Sequence, residues 1–128
     1  MNQGKWYLAK IRIAIAKKIL PRQRSKNIEK NLLTNYFRKS GVMVGDDCVI
    51  LSNIVSSEPY LISIGNNVTI ANGVQILTHD NSIDRVLPDV SDIFGKVTIG
   101  NDCFIGAHSL LMPGVTIGNQ VVVGGGVL

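Results

Sequence analysis

An all-β fold, a parallel β-helix with an N-terminal α-helical appendage, is what this sequence predicts, and three observations carry the prediction. Aliphatic residues open ten six-residue units: Val44 and Ile50, then Ile64, Ile70 and Ile76, then Ile99, Ile105, Leu111, Ile117 and Val123. Four of the units share a polar tetrad, Val44-Gly45-Asp46-Asp47, Ile64-Gly65-Asn66-Asn67, Ile99-Gly100-Asn101-Asp102 and Ile117-Gly118-Asn119-Gln120. The first forty residues lack the repeat and show helical spacing instead.

Six residues with one aliphatic anchor make a short flat strand and a bend. Gly and Asn accept turn or left-handed backbone angles at little steric cost, so the tetrads mark corners, and three units close a triangular coil of about 18 residues. A single coil leaves its inner face bare. Stacking sets each anchor on its counterpart one coil away, at the roughly 4.7–4.9 Å of paired strands, so the ten anchors are expected inside.

The register slips twice. Ile64 falls two places later than one coil after Val44, and Ile99 falls five places later than one coil after Ile76. An insertion cannot enter a packed solenoid core and is extruded on one face, often the binding face. A protruding loop is therefore expected at about 78–96, with His79 and Asp80 at its root. This divides the chain into an appendage, residues 1–41, and a β-helix domain, residues 42–128.

The chain of 128 residues has a net charge of +4, which hides an asymmetry: residues 1–40 hold eleven Lys and Arg against Glu29, whereas the remainder is mildly acidic. Leu8, Ile11, Ile15 and Ile19 form one stripe of a first helix that Pro21 ends, and a second helix is expected from Asn27 to Lys39, with Ile28, Leu32 and Tyr36 on one face and Gly41 beyond its end. Two readings of the stripe stay open. The helices cover the raw edge of the first coil, or residues 5–20 make peripheral contact with a membrane surface. No apolar run is long enough to span a bilayer, and Lys10, Arg12, Lys17 and Lys18 interrupt the stretch a secretory signal would need, so a cytoplasmic location is expected. Nothing beyond the basic start suggests nucleic acid.

Cys48 and Cys103 both fall at the fifth place of a unit, where other units have Val or Ser, which marks them as packing residues. No C-x-x-C accompanies them, so no metal site is expected. His79 is the first residue to consider for chemistry, because its imidazole titrates near neutrality and the loop root can face solvent without disturbing the core.

At these residues the sequence resembles a known family. The units Ile64-Gly65-Asn66-Asn67-Val68-Thr69-Ile70 and Ile99 to Ala107, with Met112-Pro113-Gly114-Val115 and the interposed Thr78-His79-Asp80, are similar to the hexapeptide-repeat acyltransferases, in particular the branch of maltose, galactoside and capsular polysaccharide O-acetyltransferases. The resemblance covers about residues 42–128. It implies a left-handed β-helix, a homotrimer, and a cleft between subunits in which acetyl-CoA lies and His79 acts as general base on a sugar or glycan hydroxyl. Asn53, Asp80, Phe104 and His108 are the expected acceptor contacts. Phe104, Gly106, Ala107, Gly124 and Gly125 are the expected acetyl-CoA contacts, and a free backbone N–H near Gly106 and Ala107 would suit a thioester oxygen.

The family continues beyond the Val123 unit with another coil, a basic residue near the phosphate end of CoA and a closing extension. This sequence stops at Gly124-Gly125-Gly126-Val127-Leu128 with its coil unfinished, which reads either as a truncation or as an end closed by another route. The alternatives to O-acetylation are N-acetylation of an amino sugar nucleotide and a truncated, non-catalytic trimer. A γ-type carbonic anhydrase shares the fold, but its zinc takes three His and this chain has two.

Overall fold

In a computed structural model, which describes residues 3–54 and 56–128, two helices lie against one end of a left-handed parallel β-helix. Met1 and Asn2, the start of the expected appendage, lie outside the described residues. Helix α1 runs Gln3–Ile19 and α2 runs Arg22–Ser40. The second helix starts earlier than its apolar spacing predicts, because Pro21 sits at its N-cap and the polar residues that follow need no buried face to be helical. It ends as expected at Gly41, whose φ of 108° turns the chain while its N–H bonds back to the Arg38 and Phe37 carbonyls.

Strands β1 (Met43–Val44) and β2 (Val49–Ile50) belong to the first coil, and β3 (Ile62–Ile64), β4 (Thr69–Ile70) and β5 (Gln75–Ile76) to the second. A hairpin of β6 (His79–Asp80) and β7 (Ile93–Phe94) stands outside the prism. The third coil holds β8 (Val97–Ile99), β9 (Phe104–Ile105) and β10 (Leu110–Leu111), and the fourth holds β11 (Thr116–Ile117) and β12 (Val122–Val123). Strands β1, β3, β8 and β11 form the first face, β2, β4, β9 and β12 the second, and β5 and β10 the third.

The anchors stack as the period demands. Val44 pairs with Ile64 and Ile64 with Ile99; Ile50, Ile70, Ile105 and Val123 make the second column, and Ile76 lies on Leu111. Every anchor from Ile50 to Ile117 is buried, while Val44 and Val123, at the ends of their columns, are partly buried. Burial of each such side chain stabilises the fold by roughly 1.5–3 kcal/mol. A second set of inward positions lies at the fifth place of each unit, where Val42, Ile54, Ile62, Val68, Val74 and Val97 are buried with Cys48 and Cys103. The Cys48 thiol donates to the Gly65 carbonyl and the Cys103 thiol to that of Gly118, and burial pushes the Cys48 thiol above its ordinary pKa, as befits a packing residue.

Pairing corrects the size of the second slip. Ile64 is the neighbour of Ile99 and Ile76 the neighbour of Leu111, a step nearly twice that from Ile99 to Ile117. The insertion is therefore almost a whole coil in length, not the five places expected, because the unit after Ile76 is the Ile99 unit of the next coil and not a repeat of the same corner.

The stripe of α1 also differs from one of its two expectations. Trp6, Ala9, Ile13 and Ala16 are the buried face, and Trp6 packs at 5.5 Å from Tyr36 and 5.7 Å from Phe37, ring centre to ring centre. Helix α2 in turn covers β1 and β2. Leu8, Ile11, Ile15 and Ile19 stay outside because a helix has one side to give its neighbour, and the aromatic pair on α2 selects the side that carries Trp6.

Candidate active site

The three corners of the prism differ in what occupies the fourth place of each unit. Between the first and second faces it is Asp47, Asn67, Asp102 or Gln120, all with φ between 53° and 58°. Between the second and third faces stand Gly73, His108 (φ 60°) and Gly126. At the third corner the chain leaves: His79, three residues beyond the end of β5, opens the loop, where the next coil has Gly114.

Around His79 the side chains bond to one another. Its Nδ1 lies 2.9 Å from Oε2 of Glu58, and the same oxygen accepts the Thr78 hydroxyl at 2.6 Å. Thr78 Oγ1 is 2.5 Å from the Ser56 hydroxyl, which also accepts the Glu58 N–H at 3.1 Å. Thr78 and Ser56 are buried, and the Glu58 side chain is 14% exposed against 40% for His79. The threonine hydroxyl first, and then the ring of His79, hold the Glu58 carboxyl below its ordinary pKa. The hydrogen bond to Glu58, reinforced by its charge, raises the pKa of His79 above 6.5. An anionic acceptor at Nδ1 fixes the neutral ring as the Nδ1–H tautomer and leaves Nε2 as its basic nitrogen.

The loop returns against the body of the molecule. His79 pairs with Phe94 across the hairpin, ring centres 5.8 Å apart, and the Gly95 N–H reaches the Thr78 carbonyl at 2.9 Å. A Cβ on Gly95 would stand 2.4 Å from the Gly114 nitrogen, so only glycine lets the returning strand this close to the next coil.

The remaining expected residues are dispersed in the single chain. Asp80 adjoins His79, but its Oδ1 accepts the Ser82 N–H at 2.8 Å, forming the turn that starts the loop. Phe104 is half exposed on the second face, the side of the prism opposite the His79 corner. His108 stands at the corner between the second and third faces, its ring lying over Gly73, where a Cβ would come within 2.3 Å of Nδ1. Asn53 occupies the equivalent place in the first coil; its amide bonds Gln3 of α1 at 3.2 Å, and its Oδ1 is buried without a partner among the described residues. Gly124 accepts the Ser109 hydroxyl at 3.0 Å, and Gly125 lies against Gly106. The expected free N–H at Gly106 is corrected: it donates to the Val123 carbonyl at 2.8 Å, because a coil above claims it as a stacking bond, and the Ala107 carbonyl likewise accepts from Gly126.

Glu58, Thr78 and Ser56 were absent from the expected set. Glu58 is the sole acid between Asp47 and Asp80 and lies where the first register slip falls.

Known proteins share this architecture. The model described as bacterial transferase hexapeptide (six repeats) matches residues 96–128, and that of the hexapeptide repeat of succinyl-transferase matches residues 62–78. A solved maltose O-acetyltransferase from Clostridium difficile 630 superposes over 94% of this chain and 72% of its own, with a TM-score of 0.58 and 25% identity. Protein CapG of Staphylococcus aureus is 49% identical over 97 residues, 71% of this chain. The chain belongs to the hexapeptide-repeat proteins. Galactoside O-acetyltransferase of Escherichia coli K12 is a further relative of this hexapeptide-repeat chain, 32% identical over 88 residues, 68% of this chain. The chain spans 56% of the length of CapG and 43% of that of the galactoside enzyme.

Proposed function

We propose that this chain is an O-acetyltransferase that moves the acetyl group of acetyl-CoA to a sugar hydroxyl of a cell-surface polysaccharide or its precursor. The observation that carries the reading is the His79 ring held through Nδ1 by the Glu58 carboxylate at the root of an extruded loop. A ring so held offers Nε2 to a substrate. Nε2 takes the acceptor's hydroxyl proton as that oxygen bonds to the thioester carbonyl carbon; the C–S bond then breaks, and the departing thiolate of CoA takes the proton back from the imidazolium. The products are an acetyl ester and free CoA thiol, and no acyl-enzyme forms. General-base assistance of this kind contributes about 10²–10⁴-fold. Glu58 is a positioning residue in this scheme, and Thr78 and Ser56 hold Glu58 in turn.

The reading includes a homotrimer in the cytoplasm. Phe104 and His79 stand on opposite sides of one prism, so a cleft using both draws them from neighbouring copies in a head-to-tail, three-fold contact. Val86, Leu87, Val90, Ile93 and Phe94, all exposed along the loop, suit such a contact. Sedimentation equilibrium should give three times the 13.9 kDa chain mass.

The direct test is release of CoA thiol from acetyl-CoA with a panel of oligosaccharides and amino sugar nucleotides, the product mapped by mass spectrometry. Ester formation on a hydroxyl supports the reading. Amide formation alone, or binding of acetyl-CoA by a trimer with no turnover of any acceptor, overturns it.

A further inference from the structure

Helix α1 has two apolar faces, and only one of them is used. Trp6, Ala9, Ile13 and Ala16 meet α2. On the opposite side Leu8, Ile11, Ile15 and Ile19 are 53, 56, 54 and 72% exposed, with Tyr7 beside them at 64%. Their spacing of three and four residues keeps them in a single stripe along the helix. A stripe of this size on one helix exceeds the scattered apolar exposure normal for a surface.

Charge says what covers it. At 100° per residue, Lys5 and Arg12 fall along one margin of the stripe and Lys18 along the other, whereas Lys10 lies over the Trp6 ring and Lys17 pairs with Glu29, both on the packed side. The helix carries those five cations and no acid, within a segment of +10 over residues 1–40. A second copy of the same face would bring six flanking cations together, which like-charge repulsion opposes. An anionic lipid bilayer answers both requirements: its acyl boundary receives the aliphatic stripe, and its headgroups meet the lysine and arginine heads, whose stems lie along the apolar margin. No helix among the described residues is long and apolar enough to cross a membrane, so the contact is parallel to the surface.

We infer that α1 is an interfacial docking helix that lays Leu8, Ile11, Ile15 and Ile19 into an anionic membrane surface while its Trp6 face stays on α2. The surface stands apart from the acetyl-transfer site, and its test reads lipid binding rather than turnover.

The experiment is co-sedimentation of the full chain with phosphatidylcholine vesicles containing about one third phosphatidylglycerol, and with pure phosphatidylcholine, at about 0.1 M salt. The chain should pellet with the anionic vesicles alone and be released at about 0.5 M salt. Ile11→Ser with Ile15→Ser should lower vesicle affinity at least about tenfold, because two aliphatic side chains no longer leave water. Both positions are exposed, so the melting temperature and the Trp6 emission should not move. Arg12→Gln with Lys18→Gln should lower affinity at least about fivefold. Three results would overturn the inference: no pelleting with anionic vesicles, pelleting that ignores both double variants, or a lipid-free oligomer that the Ile11 and Ile15 changes dissociate.

Discussion

Two corners of the same prism use their polar residues in opposite ways. Between the first and second faces, Asn66, Asn101 and Asn119 form a ladder in which each side-chain oxygen accepts, at 2.8 Å, the backbone N–H of the tetrad one coil below: Asp46, Asn66 and Asn101 in turn. Such a corner spends its hydrogen-bonding capacity on the fold. At the third corner His79, Glu58 and Thr78 bond side chain to side chain, and His79 remains part exposed with one ring nitrogen uncommitted to the ladder. In this solenoid the bonded side-chain network stands where the repeat is interrupted.

If that contrast is right, stability and turnover should respond to different residues. The largest effect is expected in the second column of the core: Ile105 is fully buried between Ile70 and Val123, and Ile105→Ala should cost about 2–5 kcal/mol in chemical denaturation. The His79 corner should behave inversely. His79→Ala should lower the acetyl-transfer rate by about 10²-fold or more with the melting temperature nearly unchanged. His108→Gly, which keeps the left-handed corner available, should change the rate far less. A larger loss at His108 than at His79, in a protein that still binds acetyl-CoA, would move the base to the other corner and undo the contrast.

A smaller effect sharpens the picture of the ladder corner. A Cβ on Gly100 would lie 2.5 Å from Asn119 Oδ1 and 2.6 Å from the Gly118 carbonyl oxygen, whereas a Cβ on Gly118, the same place in the last coil, meets nothing within 4 Å. Gly100→Ala should therefore destabilise by about 1–3 kcal/mol and Gly118→Ala by less than about 0.5 kcal/mol. Equal losses would mean that backbone entropy rather than stacking distance makes these positions glycine.

The coil was legible because a six-residue period repeats its own evidence: each of the anchors Ile64, Ile70, Ile99 and Ile105 is restated one coil later, and one misread unit changes nothing. The inner residues at the fifth place, Ile54 and Ile62 among them, follow from the same period. The size of the second slip was misread because the pattern gives position within a unit and not which unit stacks on which; the pairing of Ile76 with Leu111 supplies that. His79 drew notice as a titratable group at an interruption. Glu58 did not, although the spacing held the clue: the step from the first coil to the second carries Val44 to Ile64 and Ile50 to Ile70, and the same step taken from Glu58 lands on Thr78, beside His79. Periodicity marked the Leu8, Ile11, Ile15 and Ile19 stripe of α1 and passed over the face of Trp6, Ala9, Ile13 and Ala16, which has similar spacing. Tertiary contact between Trp6 and the α2 aromatics decided between them, and no local rule reports such a contact.

The finest test bears on how Glu58 acts. A general base must be unprotonated, so the rate should rise with pH along a limb set by the pKa of His79, which Glu58 raises above 6.5 through its hydrogen bond and its charge. Glu58→Gln keeps an oxygen to accept the Nδ1–H but removes the charge, so the limb should move to lower pH. The ring is then a weaker base and less firmly held, and the plateau at high pH should fall a few-fold, up to about tenfold. The two effects oppose each other at low pH, where the variant has more neutral imidazole than the parent. The ratio of parent to variant rate should therefore be greatest at high pH and shrink as pH falls. A purely structural contribution from Glu58 would lower the whole profile by a constant factor and leave its midpoint in place. That outcome, in a variant with unchanged melting temperature, would strip Glu58 of its electrostatic part and leave His79 oriented by packing against Phe94 alone.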